Sequence, residues 1–121
     1  MSEDKDQALV WKVKNGELSG IQSAVEKEGV NVNKAITGRL PLHYAADYGQ
    51  TEVINYLISK GALVNAPDKY GITPLLSAIF EGHTDCVKLL LEKGADKTGR
   101  SPDGATYIDC AEKDDIKALL K

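Results

Sequence analysis

Gly38-Arg39-Leu40-Pro41-Leu42-His43-Tyr44-Ala45-Ala46-Asp47-Tyr48-Gly49-Gln50 stands 33 residues ahead of Gly71-Ile72-Thr73-Pro74-Leu75-Leu76-Ser77-Ala78-Ile79-Phe80-Glu81-Gly82-His83, and both segments run on into a further apolar stretch. A period of this length changes the meaning of every other residue, so it is read first. The glycines keep step with it: Gly38, Gly71 and Gly104 form one series, Gly16, Gly49 and Gly82 a second, and Gly61 and Gly94 a third. A position that keeps returning to glycine within one chain usually needs positive φ or close backbone approach, so three tight turns per unit are predicted. Pro41 and Pro74 fall where a helix begins, and Thr73 ahead of Pro74 offers an N-cap oxygen. A short helix then runs to Gly49 or Gly82. Thr51 to Ser59 and Thr84 to Glu92 follow as second helices, with Val53, Ile54, Leu57 and Ile58, or Cys86, Val87, Leu90 and Leu91, on one face. Gly61 and Gly94 stop them.

The unit is therefore tight turn, short helix, turn, longer helix, glycine stop and an extended crossover such as Ala62 to Asp68. This 33-residue pattern resembles the ankyrin repeat, whose signature is matched by Leu-Pro-Leu-His at 40–43, Thr-Pro-Leu-Leu at 73–76, Lys60-Gly61-Ala62 and Lys93-Gly94-Ala95-Asp96. The expected fold is all-α, an ankyrin-repeat solenoid with two full central repeats between atypical N- and C-terminal capping repeats. One domain covers 1–121, divided at about 7–33, 34–66, 67–99 and 100–121. The first helix pair, from Trp11 to Asn15 and from Gly16 to Glu28, lacks a preceding hairpin, and its closing Gly29 falls one place late. At the other end Ile116-Lys117-Ala118-Leu119-Leu120 arrives four residues early, so the last pair is clipped. Terminal units of a stack show one face to water and are expected to depart from the consensus.

Composition narrows the function. The 121 residues carry 15 Lys and Arg against 18 Asp and Glu, a formal charge of −3, with the basic residues scattered among acids. Such a surface has no electrostatic footprint for a phosphate backbone, and neither nucleic acid nor an acidic membrane is expected as partner. Met1-Ser2-Glu3-Asp4-Lys5-Asp6 is unlike a secretory signal, and the stretch from Ile72 to Phe80 is interrupted by Thr73, Pro74 and Ser77. The expected location is the cytoplasm; whether the chain also reaches the nucleus is left open. Cys86 and Cys110 stand alone, without a metal-ligand partner at the usual spacing, and read as reduced thiols. No cofactor or metal is expected.

Catalysis finds no constellation here. A nucleophile needs a base within hydrogen-bond reach and usually a third group to orient that base. His43 sits in the Pro-Leu-His position, where an imidazole steadies the adjoining turn, and His83 opens a second helix after Gly82. Cys86 lies on the inward stripe as a small buried hydrophobe. A protein-binding, non-enzymatic chain is the expectation.

Solenoids bind through the concave side, where hairpin tips and first helices line up. On this register the tip positions include Arg39 and Leu40, then Lys69 and Tyr70, then Asp103; the helix ends bring Lys14 and Asn15, Asp47 and Tyr48, and Phe80 and Glu81. Tyr48, Tyr70 and Phe80 fall where a core needs no ring, and aromatic side chains on such a surface are the usual anchors of binding; rings that cover gaps between repeats are the other reading. Trp11 shares a register position with Tyr44 and Ser77, and is either packed into the cap or half exposed as an anchor. Asp47, Asp68, Glu81 and Asp103 would set acidic points beside Arg39 and Lys69, making a mixed patch that governs encounter and orientation.

Trp11 and Lys14-Asn15-Gly16, together with three features outside the repeat consensus, Asn65-Ala66-Pro67-Asp68-Lys69, Pro74-Leu75-Leu76-Ser77-Ala78 and the short ending Ile116-Lys117-Ala118-Leu119-Leu120, are similar to the myotrophin family, and the resemblance covers essentially the whole chain. The resemblance implies a partner, the heterodimeric F-actin capping protein, which such proteins keep from filament barbed ends, and it favours Trp11 as an anchor. It also implies a cytosolic protein, and the polar capping helices favour a monomer. A generic ankyrin adaptor or inhibitor of a kinase or transcription factor is the alternative, since fold alone does not specify a ligand. Departures from the family pattern cluster at Glu28-Gly29, the loop Val30 to Thr37, Tyr48 and Tyr70-Gly71.

Overall fold

The computed structural model describes residues 2–121 and holds eight helices: α1 (Ser2–Lys14), α2 (Leu18–Glu26), α3 (Pro41–Asp47), α4 (Thr51–Ser59), α5 (Pro74–Glu81), α6 (Thr84–Glu92), α7 (Tyr107–Cys110) and α8 (Asp114–Leu120). Extended pairing among the described residues is confined to two isolated bridges, Ile36 with Arg39 and Arg100 with Thr106, which close hairpins. The helices pack as consecutive antiparallel pairs. First helices α1, α3, α5 and α7 stack on one another, and α4, α6 and α8 form a second layer behind them.

Helix starts follow from the sequence. The Thr73 hydroxyl oxygen accepts the Leu76 amide (3.2 Å) ahead of Pro74, and Thr106 does the same for Asp109 (3.1 Å). Leu40 has no such oxygen; there the ring of His43 turns back and its Nδ1 accepts the Leu40 amide at 2.9 Å. At the far ends Gly49 and Gly82 both take φ of 70°, the left-handed turn that lets the chain reverse into the second helix. The core is the seam between the layers, where Ile21, Leu42, Ile54, Leu57, Leu75, Leu76, Val87, Leu90 and Ile116 are sealed. Each is a Leu, Ile or Val whose burial contributes roughly 1.5–3 kcal/mol.

Two side-chain ladders tie neighbouring units. Gln50 Nε2 donates to the Lys14 carbonyl (2.8 Å), His83 Nε2 to that of Asp47 (2.9 Å) and Lys113 Nζ to that of Gly82 (2.7 Å). In the crossovers Asn33 donates to the Gly61 carbonyl and accepts the Leu63 amide, while Asn65 donates to Gly94 and accepts the Asp96 amide. Each asparagine thus satisfies one donor and one acceptor of the next loop.

The first helix is longer than the sequence reading, which starts it at Trp11: it begins at Ser2. Leu9, Val10 and Val13 make a buried stripe that needs the extra turns. The late Gly29 is compensated at the first hairpin. Ile36 and Arg39 exchange both backbone bonds (2.7 and 3.1 Å) around only Thr37 and Gly38, whereas the next hairpin spans Asp68 to Ile72 and has three residues in its loop. Thr37 takes a φ of 55° as a result, with Gly38 at 79°, the pattern of a two-residue type I′ turn.

Candidate protein-binding face

Hairpin tips and first helices leave four large rings in solvent. Trp11 is 58% exposed, Tyr48 51%, Tyr70 59% and Phe80 51%. Such exposure in four of the chain's seven aromatics departs from the burial these side chains ordinarily have. At the register position of Trp11 in the next unit, Tyr44 is covered by Ile36 and Arg39 of its own hairpin.

Cations accompany the rings. Lys14 Nζ lies 5.3 Å from the centroid of Tyr48 and 5.7 Å from that of Tyr44, and Lys69 Nζ lies 5.1 Å from Tyr70. Contacts of this length are favourable cation–π pairs and restrict both partners. Gly38 makes room for the second pair: its φ is positive, and a Cβ there would overlap the Lys69 stem. Lys69 also donates its amide to the Gly38 carbonyl (2.9 Å), so one tip packs over the previous one.

Between units two and three runs a cleft lined by Arg39, Asp47, Asp68, Tyr70, Ile72, Ser77, Phe80 and Glu81, continuing to Tyr48 and His83 past Asp47 and Glu81. Its floor is ionic. Arg39 Nε donates to Asp68 (2.8 Å), Nη1 and Nη2 donate to Asp47, and Nη2 reaches the Ser77 hydroxyl oxygen (3.2 Å). Asp68 also accepts the amides of Tyr70 (2.8 Å) and Ile72 (3.0 Å). Burial alone would raise the Asp68 carboxyl, but the Ile72 and Tyr70 amides and the Arg39 guanidinium outweigh it and hold its pKa below the ordinary value. For Arg39 burial opposes the charge, and the two carboxylates more than reverse that, so its pKa is raised.

Three sequence-read residues are therefore not open contact positions. Tyr44 is buried, its hydroxyl donates to the Ile36 carbonyl (2.8 Å), and Arg39 covers its ring at 5.2 Å. The Asp68 side chain is 0% exposed, and that of Arg39 only 17%. The acidic point expected at Asp68 is internal, neutralised by the arginine expected beside it. Asp47 is half-buried in the same network, and Leu40 is half-buried ahead of α3. Lys69, Asn15, Glu81 and Asp103 are exposed, Lys14 half-exposed. Asp103 stands at the last tip, where the Ser101 hydroxyl donates to its carboxylate and lowers its pKa. Ser77 and His83 also border the cleft and were not among the candidates. The repeat register holds the signal for Ser77, since a hydroxymethyl replaces the ring of Tyr44 there and leaves space.

Both ring nitrogens of His43 are taken by backbone, Nδ1 by the Leu40 amide and Nε2 by the Ala66 carbonyl (2.8 Å). Cys86 is buried, which pushes its thiol up to about 11, helped by Asp85. Among the described residues no group of three or more His, Cys, Asp or Glu could hold a metal, and no helix is long and apolar enough to cross a membrane.

The family model for ankyrin repeats (3 copies) matches residues 3–101. Myotrophin of Xenopus tropicalis is 53% identical over 116 residues, covering 95% of this chain and 98% of that protein. The 26S proteasome non-ATPase regulatory subunit 10 of Dictyostelium discoideum is 44% identical over 94 residues, 76% of this chain, but the match spans only 40% of the subunit's length. A putative ankyrin repeat protein of Rickettsia bellii is 38% identical over 99 residues, 80% of this chain and 36% of that protein. The latter two share a run of repeats within longer chains, whereas the likeness to Myotrophin extends almost end to end. Repeat architecture, an exposed aromatic face and this full-length likeness make the chain a protein-binding repeat module: it belongs to the ankyrin-repeat proteins and, among them, to the myotrophin family.

Proposed function

We propose that the chain binds the heterodimeric actin capping protein and prevents it from capping filament barbed ends, so that filament growth is less restrained. The observation that carries this reading is the set of exposed rings on hairpin tips and first helices, Trp11, Tyr48, Tyr70 and Phe80, in a chain matched almost end to end by Myotrophin. Aromatic side chains on a rigid scaffold bring large contact area at low entropic cost, which is why they dominate binding energy at interfaces. Asn15, Lys14, Lys69, Glu81 and Asp103 form the polar rim and set encounter and orientation, while Arg39, Leu40, Tyr44, Asp47 and Asp68 support the surface from beneath. The chain acts as a monomer in the cytoplasm and performs no chemistry.

An actin elongation assay with capping protein tests this. Added in excess, the chain restores barbed-end growth; unchanged capping would end the proposal. Trp11→Ala and Tyr48→Ala each weaken the complex by about 2 kcal/mol while circular dichroism stays native. A pull-down from cytosol separates this reading from a generic adaptor by whether the capping heterodimer or a kinase or transcription factor is recovered.

A further inference from the structure

The charged floor of the cleft is not repeated at the next junction of the stack. Where units two and three meet, the three register positions are Arg39, Asp47 and Asp68; where units three and four meet, they are Ile72, Phe80 and Ser101. The second junction shows that the stack closes without charges at these places. Burying an ion pair is often no more stabilising than packing apolar side chains of similar volume, because desolvation offsets the attraction. Stability alone therefore does not account for the Arg39 network.

Its geometry does something an apolar contact cannot. The planar fork of Arg39 holds Asp47, next to Tyr48 at the end of α3, and Asp68, whose carboxylate accepts the Tyr70 and Ile72 amides and so shapes the tip that carries Tyr70. A fourth bond reaches Ser77 of α5. One guanidinium thus fixes the second hairpin against two first helices, with four bonds in set directions. A lysine, with one nitrogen on a flexible stem, cannot reproduce that fork.

We infer that Arg39 is a positioning residue, which sets the spacing of Tyr48 and Tyr70 before a partner arrives and strengthens binding without touching it. The inference rests on the reading that this face binds capping protein, and it acts by removing ordering cost from the bound state.

Two measurements on the full chain test it. In hydrogen exchange of the free protein, Arg39→Lys lowers protection of the Tyr70 and Ile72 amides by about tenfold or more and leaves Val87 and Leu90 in α6 within about threefold. Loss spread evenly over all four amides, or no loss, overturns the inference, because a general structural tie would act on all. In binding to capping protein, Arg39→Lys loses about tenfold in affinity in the parent chain and less than about threefold in the Tyr70→Ala background. Equal losses in both backgrounds, or parent-like affinity, also overturn it. Should the parent itself fail to bind capping protein, the proposed function falls, and the exchange experiment still decides whether Arg39 orders the tip. If Arg39→Lys does not fold, Asp68→Asn takes its place in both measurements, since it weakens the fork's hold while keeping an oxygen for the two amides.

Discussion

His43 Nε2 lies 2.8 Å from the carbonyl oxygen of Ala66, joining the start of α3 to the crossover that leaves the same repeat. Because Nδ1 already accepts the Leu40 amide, the proton of the neutral ring is on Nε2 and is donated to Ala66. Burial disfavours the imidazolium and Arg39 adds to that; the Ala66 carbonyl, Asp68 and Asp47 pull the other way, and the net effect is a lowered pKa.

Stability should therefore fall as the solution becomes mildly acid. The unfolded chain takes up a proton on this histidine near the ordinary value of 6.5, and the folded chain only below it. The contribution is fully present above 6.5 and is lost as pH drops through the folded value, with a slope of at most about 1.4 kcal/mol per pH unit for one proton. Urea denaturation between pH 8 and 5, with the His43 ring signal followed by NMR, checks this. A ring that titrates at or above 6.5 would contradict it.

His83 and Gln50 perform one task at successive junctions, each donating from Nε2 to the carbonyl that ends the previous first helix. His83→Gln should consequently fold with stability within about 0.5 kcal/mol of the parent, whereas His83→Ala strands the Asp47 carbonyl and costs about 1–2 kcal/mol. Comparing the two in urea separates the hydrogen bond from the imidazole itself.

The stack could be read from single positions. Pro41, Pro74 and the glycine series mark helix starts and turns, because each obeys a local backbone rule. The register leaves Trp11 open between packing into the cap and exposure, and the structure exposes it. The cleft floor could not be read that way. Arg39 and Asp68 are 29 residues apart, and the register puts one at a hairpin tip and the other at the end of a crossover without saying that they pair. Tyr44 sits in the same register as Trp11 yet is buried, since the hairpin of its own unit brings the Ile36 carbonyl to its hydroxyl and Arg39 over its ring, and Lys14 of the preceding unit lies over that ring as well, contacts that no single position announces. Likewise the shift at Gly29 shows that a residue must be lost before Gly38, but not that the loss falls within the turn itself.

That loss leaves Thr37 at a positive φ in a two-residue turn, a conformation that strains a β-branched side chain. Asn-Gly is the preferred pair for this turn, so Thr37→Asn should stabilise the chain by about 1 kcal/mol. Thermal or urea unfolding of the variant measures this, and an unchanged or lower midpoint would show that the threonine makes a compensating contact.

The two thiols should differ in reactivity as their places in the stack dictate. Cys86 is 1% exposed on the seam between α4 and α6, and its pKa is pushed up to about 11 by burial and by Asp85, so at pH 8 it is both covered and protonated. Cys110, at the end of α7, is half-exposed. A thiol reagent added to the native chain at pH 8 should label Cys110 rapidly and Cys86 only as the stack opens, because reaction requires both access and the thiolate. Urea should then raise the labelling rate of Cys86 in step with global unfolding. Equal rates for the two in native buffer would mean that the third repeat opens on its own, which the seam of Val53, Leu57, Val87 and Leu90 argues against.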